Sequence, residues 1–260
     1  MLRKTFKQLD SRLSNRFLGH SIGFYPELRG LKGRWRLRSS TSEIAKAIYR
    51  DGVHPVGLVF ESEFLSSARN ALNELERKYR IDTKVEECEI QEDDLNIYIN
   101  SATTKILNSD RLFSAIDSGY LDKLRAKVRE WIEVEFNFVG HMLWRNYHTN
   151  NPSLYSGDWH FDRRPTNWIR LFVLMEDVDS SQGPFHYLDR KTSVEYARKG
   201  FNRCSTDSQG AINVDSRVKS FTGKAGDGAF VDVQRLLHKA GVPSEGRTRD
   251  MVQIIIEIKQ

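Results

Sequence analysis

The sequence predicts an α+β fold that is mainly β, and three observations carry this prediction. Segments with helical periodicity come first, in residues 42–50, 62–80 and 121–135. After them follow six short apolar segments separated by turn residues, which is typical of β-strands. No helical pattern connects these strands, so a sandwich or barrel is favoured over a parallel sheet.

The bulk composition is that of an ordinary globular protein. The 260 residues are 39% hydrophobic and 29% charged, which is enough for one sizeable core. No apolar run approaches the length of a membrane span. The two cysteines, Cys88 and Cys204, match no metal-binding spacing, which predicts a reducing, cytoplasmic setting. The net charge of +5 favours an anionic or carrier-bound small-molecule substrate and specifies no nucleic acid.

The excess charge lies mainly in residues 1–39, which we predict to be an appendage to a domain formed by residues 40–260. Apolar residues at steps of three and four indicate an amphipathic helix with a basic opposite face; they are Leu2, Phe6, Leu9, Leu13 and Phe17. We expect this helix to pack on the domain, with docking to a membrane surface or a partner as the lesser alternative. The basic, glycine-containing stretch that follows, "GLKGRWRLRSS", is interpreted as a connector.

The remaining elements are predicted in chain order. Ser40 and Glu43 have the spacing of a capping box that opens the helix "SEIAKAIYR", and Asp51-Gly52 ends it. A short strand, "VHPVGLVF", then precedes the helix "SEFLSSARNALNELERKYR", and a third helix covers residues 121–135. The strand candidates after it are "FVGHMLWRNYH", "IRLFVLMEDV", "PFHYLD", "VKSFT", "GAFVDV" and "DMVQIIIEI".

The segment "WHFD" places a histidine and a carboxylate two residues apart, so His160 and Asp162 would point to the same side of a strand. His238 lies just after another predicted strand, in "GDGAFVDVQRLLHKAG". Two imidazoles and one carboxylate can bind Fe(II) and leave three positions open for a bidentate cosubstrate and dioxygen. The same ligands would suit a zinc hydrolase, and a histidine paired with a carboxylate can also be purely structural.

Arg249 favours one of these alternatives. It lies eleven residues after His238 and shares one face of its strand with Met251, Gln253 and Ile255. A guanidinium on so apolar a strand needs a partner, and a carboxylate suits it because two hydrogen bonds can form. A dicarboxylate that chelates iron at one end and meets an arginine at the other is 2-oxoglutarate. Arg247 lies two residues before Arg249, so it would face the same side of an extended strand, and it is interpreted as a solvated turn residue.

Taken together, these segments resemble the phytanoyl-CoA dioxygenase-like branch of the Fe(II)/2-oxoglutarate oxygenases. "WHFD" is similar to the family's W-H-x-D, and "LFVLMEDVDSSQGPFHYL" to its strand, D-V-D turn and G-P segment. "GDGAFVDVQRLLHKAG" with Arg249 resembles its G-D…H…R ending. The resemblance covers residues 40–257. One departure is "LDRKTSV", where the family often has P-G-S-H.

The resemblance implies a double-stranded β-helix, also called a jelly roll or cupin-like fold, with helices packed on one side. It also implies that His160, Asp162 and His238 are the ligands of the metal, Fe(II), and that Arg249 binds the distal carboxylate of the cosubstrate 2-oxoglutarate. By the same resemblance, dioxygen would be the second cosubstrate, and an unactivated C–H bond of a small metabolite would be hydroxylated or otherwise oxidised, with release of succinate and CO2. The alternatives are a jelly-roll binding protein with a vestigial or structural metal site, and a metal-dependent hydrolase or isomerase.

Strands beside the metal strand usually supply further cosubstrate contacts, and Asn146 and Arg170 are the candidates. The competing interpretations are an edge-strand amide for Asn146 and a surface ion pair for Arg170. The other strand histidines, His141, His148 and His186, have no ligand spacing and are expected in the core or at the surface.

Overall fold

The computed structural model describes residues 24–80, 87–92, 94–151, 154, 156–162, 165, 167–199, 201, 212 and 215–260. The helices in these ranges are α1 Phe24–Ser39, α2 Glu43–Asp51, α3 Ser62–Tyr79, α4 Ser109–Ile116, α5 Tyr120–Ile132 and α6 Arg190–Arg198. The strands are β1 Val53–Leu58, β2 Cys88–Glu92, β3 Leu95–Asn100, β4 Thr103–Ile106, β5 Phe136–Tyr147, β6 Trp168–Leu174, β7 Phe185–Tyr187, β8 Lys219–Phe221, β9 Asp227–Val231, β10 His238–Ala240 and β11 Thr248–Ile258. No helix within the described ranges is long and apolar enough to cross a membrane.

The strands form two antiparallel sheets. The large sheet has eight strands in the order β1-β9-β6-β11-β5-β4-β3-β2, and the small sheet has three in the order β10-β7-β8. Neighbours in both sheets pair antiparallel. The predicted class, a mainly β α+β fold of the jelly-roll type, is confirmed.

The long strand β11 lies at the centre of the large sheet and separates the helices from the cavity. Val252, Ile254 and Ile256 are fully buried in a core cluster shared with the helices. The residues between them face the opposite side, since successive side chains on a strand alternate. On that side Met251, Phe172 and Phe185 pack between the two sheets, with 5.1 Å between the two phenylalanine ring centroids. Helices α1 to α5 therefore cover one face, and the small sheet only partly covers the other.

The connector predicted for residues 30–40 is wrong, because most of this stretch belongs to α1. The inner face of α1 packs on the domain: Leu37 is 2% exposed and belongs to the main core cluster. Gly33 faces the end of β11, where an added Cβ would lie 2.7 Å from the carbonyl oxygen of Ile258 and from Cβ of Asn167. Glycine here permits close packing rather than a loop. The predicted amphipathic helix at Leu2–Phe17 lies outside the described residues.

Several boundaries also differ from the prediction. The side chain that caps α2 is Ser42, which accepts from the Ala45 amide, and not Ser40. Gly52 ends α2 in the left-handed conformation, φ 82°, as predicted. Helix α5 ends at Ile132 because Glu133 is left-handed, φ 48°. Strands β2, β3, β4 and β10 and helices α4 and α6 have no counterpart in the prediction.

Candidate metal centre

A pair of backbone hydrogen bonds brings the two predicted histidine ligands together. The amide of His160 donates to the carbonyl of His238 at 2.9 Å, and the reverse bond is 3.0 Å. The ring centroids are 4.3 Å apart. Two residues separated by 78 positions thus face the same side of one short bridge, because directly paired residues share a face.

The tautomer of each ring follows from its hydrogen bond to the backbone. Nδ1 of His160 lies 2.7 Å from the carbonyl oxygen of Asp158, and Nδ1 of His238 lies 2.9 Å from that of Leu236. A carbonyl oxygen only accepts, so in each ring Nδ1 carries the hydrogen and Nε2 keeps its lone pair. The two Nε2 atoms lie 3.4 Å (His160) and 3.9 Å (His238) from Oδ1 of Asp162. All three potential ligand atoms lie within 4.8 Å of one another.

The ionisation of Asp162 and His238 suits metal binding. Burial acts to raise the pKa of Asp162, but its close contacts with His160 and His238 and the charge of Arg170 outweigh this effect and hold the pKa well below its usual range. Burial, and then the neighbouring His160, lower the pKa of His238 to about 3. At neutral pH the carboxylate is ionised and the imidazole of His238 is neutral, as metal ligation demands. Two nitrogens and one carboxylate oxygen fit a facially bound Fe(II).

Arg249 lines the same cavity as the three candidate ligands, and this cavity has a volume of about 580 Å³. Its side chain is 1% exposed, and Nη1 donates to the carbonyl of Gly183. Gly183 has φ 64°, and an added Cβ would lie 2.3 Å from the carbonyl carbon of Val242 and 2.5 Å from the nitrogen of Pro243, so a side chain does not fit there. The G-P segment of the sequence therefore holds the arginine.

The two secondary candidates also line this cavity. Asn146 pairs directly with Arg249 across β5 and β11, and its Oδ1 accepts from Thr103 at 3.0 Å. The edge-strand interpretation is wrong, because β5 lies between β11 and β4. Arg170 is 7% exposed and donates from Nη2 to Oδ2 of Asp162 at 2.6 Å, so its ion pair is buried and not at the surface. Arg247 is exposed in the turn before β11.

Further side chains of the cavity were missed by the sequence analysis, among them Lys105, Trp144 and Phe172. Trp144 could have been predicted, because it lies two residues before Asn146 on β5 and side chains two residues apart on a strand face the same side. Lys105 lies opposite Trp144 on β4, a four-residue strand that gives no signal in the sequence. Burial lowers the pKa of Lys105.

The other strand histidines lie away from this centre. Nδ1 of His141 contacts the Tyr120 hydroxyl at 3.0 Å, Nδ1 of His148 contacts the Pro243 carbonyl at 2.9 Å, and Nδ1 of His186 contacts Ser220 at 2.8 Å. Within the described ranges His160, Asp162 and His238 form the one cluster of histidine, cysteine and acidic residues with metal-binding geometry. The departure "LDRKTSV" forms the start of α6, where Asp189 caps the helix by accepting from the Thr192 amide.

Comparison with known proteins gives similarity at the level of structure. No protein-family model and no curated protein matches the sequence. AviO1 from Streptomyces viridochromogenes Tue57 superimposes with a TM-score of 0.54 at 16% identity, covering 84% of this chain and 96% of that one. HygX from Streptomyces hygroscopicus, solved with nickel, 2-oxoglutarate and hygromycin B, gives 0.53 at 12%, covering 84% and 87%.

A third similar structure is SnoN, a non-haem, α-ketoglutarate-dependent epimerase from nogalamycin biosynthesis. It gives a TM-score of 0.51 at 14% identity, covering 82% of this chain and 80% of that one. The chain has the fold of the non-haem iron/2-oxoglutarate enzymes. The fold that the sequence motifs imply is thereby confirmed, and at these identities the similarity concerns the fold. The chemistry of this member of the fold has to be argued from its own cavity.

Proposed function

We propose that the protein is an Fe(II)- and 2-oxoglutarate-dependent dioxygenase that oxidises an unactivated C–H bond of a small molecule and releases succinate and CO2. The observation that carries this proposal is one cavity that contains both a triad suited to Fe(II) and a buried arginine. Each half alone occurs in other protein classes, whereas a dicarboxylate cosubstrate needs both. Iron bound here would supply the activation of dioxygen.

His160, Asp162 and His238 would hold the iron, since their free lone pairs point to one place. Arg249 would bind the distal carboxylate of 2-oxoglutarate, with Asn146 beside it across the strand pair. Phe172 and Phe185 pack next to these polar groups, and Phe185 lies 5.4 Å from the His238 ring, centroid to centroid. Such aromatic walls limit water and strengthen the electrostatic contacts inside the cavity.

The rival functions explain fewer of these features. In both His160 and His238, a hydrogen bond from Nδ1 to a backbone carbonyl directs Nε2 towards Asp162. A vestigial metal site would not need this arrangement. A zinc hydrolase would give no role to Arg249. Epimerisation is a second candidate reaction, because SnoN, an epimerase, shares the fold. HygX was solved with hygromycin B and SnoN with nogalamycin RO, which supports a small-molecule substrate.

The first test is the carboxylate ligand. Asp162→Ala removes one of three ligands and leaves Arg170 without its partner, so we expect loss of Fe(II) binding, which is about one ion per chain in the wild type, and loss of succinate formation from 2-oxoglutarate. Anaerobic metal titration and succinate assays check this. The matched control is Asp177→Ala, an exposed carboxylate paired with Lys224, which should bind iron normally. Normal turnover of Asp162→Ala would show that the triad assignment is wrong.

A further inference from the structure

The guanidinium of Arg170 lies against the candidate metal centre, and its two terminal nitrogens have different surroundings. Nη2 donates to Oδ2 of Asp162 at 2.6 Å. Nη1 is buried and has no hydrogen-bond partner among the residues that the structure describes. A buried donor of this kind is costly unless something accepts from it, and such atoms often mark the place of a ligand or an ordered water.

The residues paired with Arg170 on the neighbouring strands supply no side-chain acceptor for Nη1. Arg170 pairs with Ile255 on β11 and with Val231 on β9, and both side chains are apolar. The cavity that Arg170 lines is the remaining source of an acceptor. The charged side chains lining that cavity are Lys105, Arg170, Arg249 and Asp162. Three basic side chains and only one carboxylate line the cavity, so an anion is favoured over water as the hydrogen-bond acceptor for Nη1.

Building on the proposed function, we propose that Arg170 bridges Asp162 and the cosubstrate. Nη2 holds Oδ2 of Asp162, so that Oδ1 alone faces the two histidines, and Nη1 donates to the carboxylate next to the oxo group of 2-oxoglutarate. Arg249 binds the other carboxylate. Each of the two arginines thereby binds one of the two carboxylates of 2-oxoglutarate.

The planar fork of arginine is what makes this double role possible, because its two terminal nitrogens can donate to two separate anions. A lysine at position 170 has a single nitrogen. It can replace the contact with Asp162, and it then has little capacity for a second anion at the same distance. Arg170→Lys therefore separates the positioning of Asp162 from the binding of the cosubstrate, whereas Arg170→Gln removes both.

The experiment uses pyruvate, which has the oxo-acid end of 2-oxoglutarate and lacks the second carboxylate. Calorimetry under anaerobic conditions measures the affinity for Co(II), and then the affinity of the Co(II)-loaded protein for pyruvate and for 2-oxoglutarate. For Arg170→Lys we expect Co(II) affinity within about threefold of wild type and both oxo acids bound about 10- to 100-fold more weakly, the loss typical of one charge-assisted hydrogen bond. Arg170→Gln should weaken Co(II) binding as well.

Two control variants separate this inference from the proposed function. Arg249→Leu should weaken 2-oxoglutarate and leave pyruvate unchanged, and the exposed Arg247→Gln should leave all three affinities unchanged. Thermal melting of each variant verifies that it is folded. Wild-type pyruvate affinity in both Arg170 variants, with 2-oxoglutarate weakened in Arg249→Leu, would overturn the bridging role and leave the proposed function intact. Failure of wild-type, Co(II)-loaded protein to bind either oxo acid would overturn both.

Discussion

At the scale of single residues, the candidate centre depends on hydrogen bonds that the ligand side chains make away from the metal. Each histidine ring is oriented by a backbone carbonyl two residues before it, from Asp158 for His160 and from Leu236 for His238. Asp162 is oriented by Arg170. Such outer contacts set the tautomer and direction of a ligand before metal arrives, which reduces the cost of binding.

The residue that distinguishes an oxygenase from other metal-binding barrels is Arg249. Arg249→Leu should weaken 2-oxoglutarate binding by about 2–5 kcal/mol, because a ligand carboxylate would be left without its partner in a buried site. Lysine should restore only part of this affinity, since a point charge does not reproduce the fork. Anaerobic titration of the Fe(II)-loaded protein with 2-oxoglutarate measures both effects.

Arg247→Leu is the matched control, because Arg247 is exposed two residues away on the same strand parity. We expect it to change the affinity by less than about 1 kcal/mol. A larger loss at Arg247 than at Arg249 would show that the arginine assignment is wrong.

His141 lies outside the site and predicts a pH dependence of stability. Burial lowers the pKa of His141 to about 4 in the folded protein; Asp110 opposes this shift and Arg125 adds to it, both to a smaller extent. The unfolded chain therefore binds a proton that the folded protein does not between pH 6.5 and 4. In this window the free energy of unfolding should fall as the pH falls, by up to about 3 kcal/mol from this residue.

His141→Gln can keep a hydrogen bond to Tyr120 and does not titrate, so its free energy of unfolding should depend less steeply on pH in that window. Urea unfolding at a series of pH values compares the two proteins. Identical slopes would show that His141 does not contribute.

At the scale of elements, a buried ion network connects α3 to the strands that carry Asn146 and Arg249, the residues proposed to bind the cosubstrate. Arg145 on β5 contacts both oxygens of Asp250 on β11, at 2.6 and 2.5 Å, and Glu76 on α3 at 2.6 Å. Asp250 is fully buried. Arg145 directly precedes the cavity residue Asn146, and Asp250 directly follows the cavity residue Arg249. Because successive side chains on a strand alternate, Arg145 and Asp250 lie on the opposite side of the sheet from the cavity. The network therefore fixes the register of the strand pair from behind the cavity.

Arg145→Leu should lower the free energy of unfolding by about 3–5 kcal/mol, because Asp250 would keep a buried charge without its main partner. Replacing both residues by leucine should cost less than the sum of the two single changes, since the stranded charge is gone. Urea unfolding measures all three variants. The control is Arg217→Leu, an exposed arginine paired with Glu195, for which we expect less than about 1 kcal/mol. Equal effects for Arg145 and Arg217 would contradict a structural role of the network.

At the scale of the whole molecule, helices α1 to α5 cover one face of the large sheet and the cavity lies on the other. The second half of the appendage predicted for residues 1–39, helix α1, packs on the domain. It contacts the end of β11 through Gly33 and contributes Leu37 to the core. A truncation can separate the two parts.

Removal of residues 1–23 should leave Fe(II) and 2-oxoglutarate binding unchanged. Removal of residues 1–39 should in addition lower the melting temperature, because burial of a leucine side chain such as Leu37 contributes about 1.5–3 kcal/mol. Thermal melting and metal titration of both truncations provide the test. Equal melting temperatures would show that α1 does not stabilise the domain.

Helices α2, α3 and α5, the strands after residue 135 other than β10, and the residue types of the site could be predicted from the sequence, because period and spacing are local properties. His160 and Asp162 are two residues apart on one extended segment, and the parity of β11 gives Arg249 the same face as Gln253. The short strands β2, β3 and β4 and the packed helix α1 could not be predicted, since four to six residues carry little periodicity and Gly33 is explained only by the strand end it touches. The meeting of His160 with His238, the buried ion pair of Arg170 and the presence of Lys105 in the cavity depend on strands that are distant in the chain. Tertiary structure alone decides such contacts, because hydrogen bonding between strands, and not sequence spacing, sets which residues face each other.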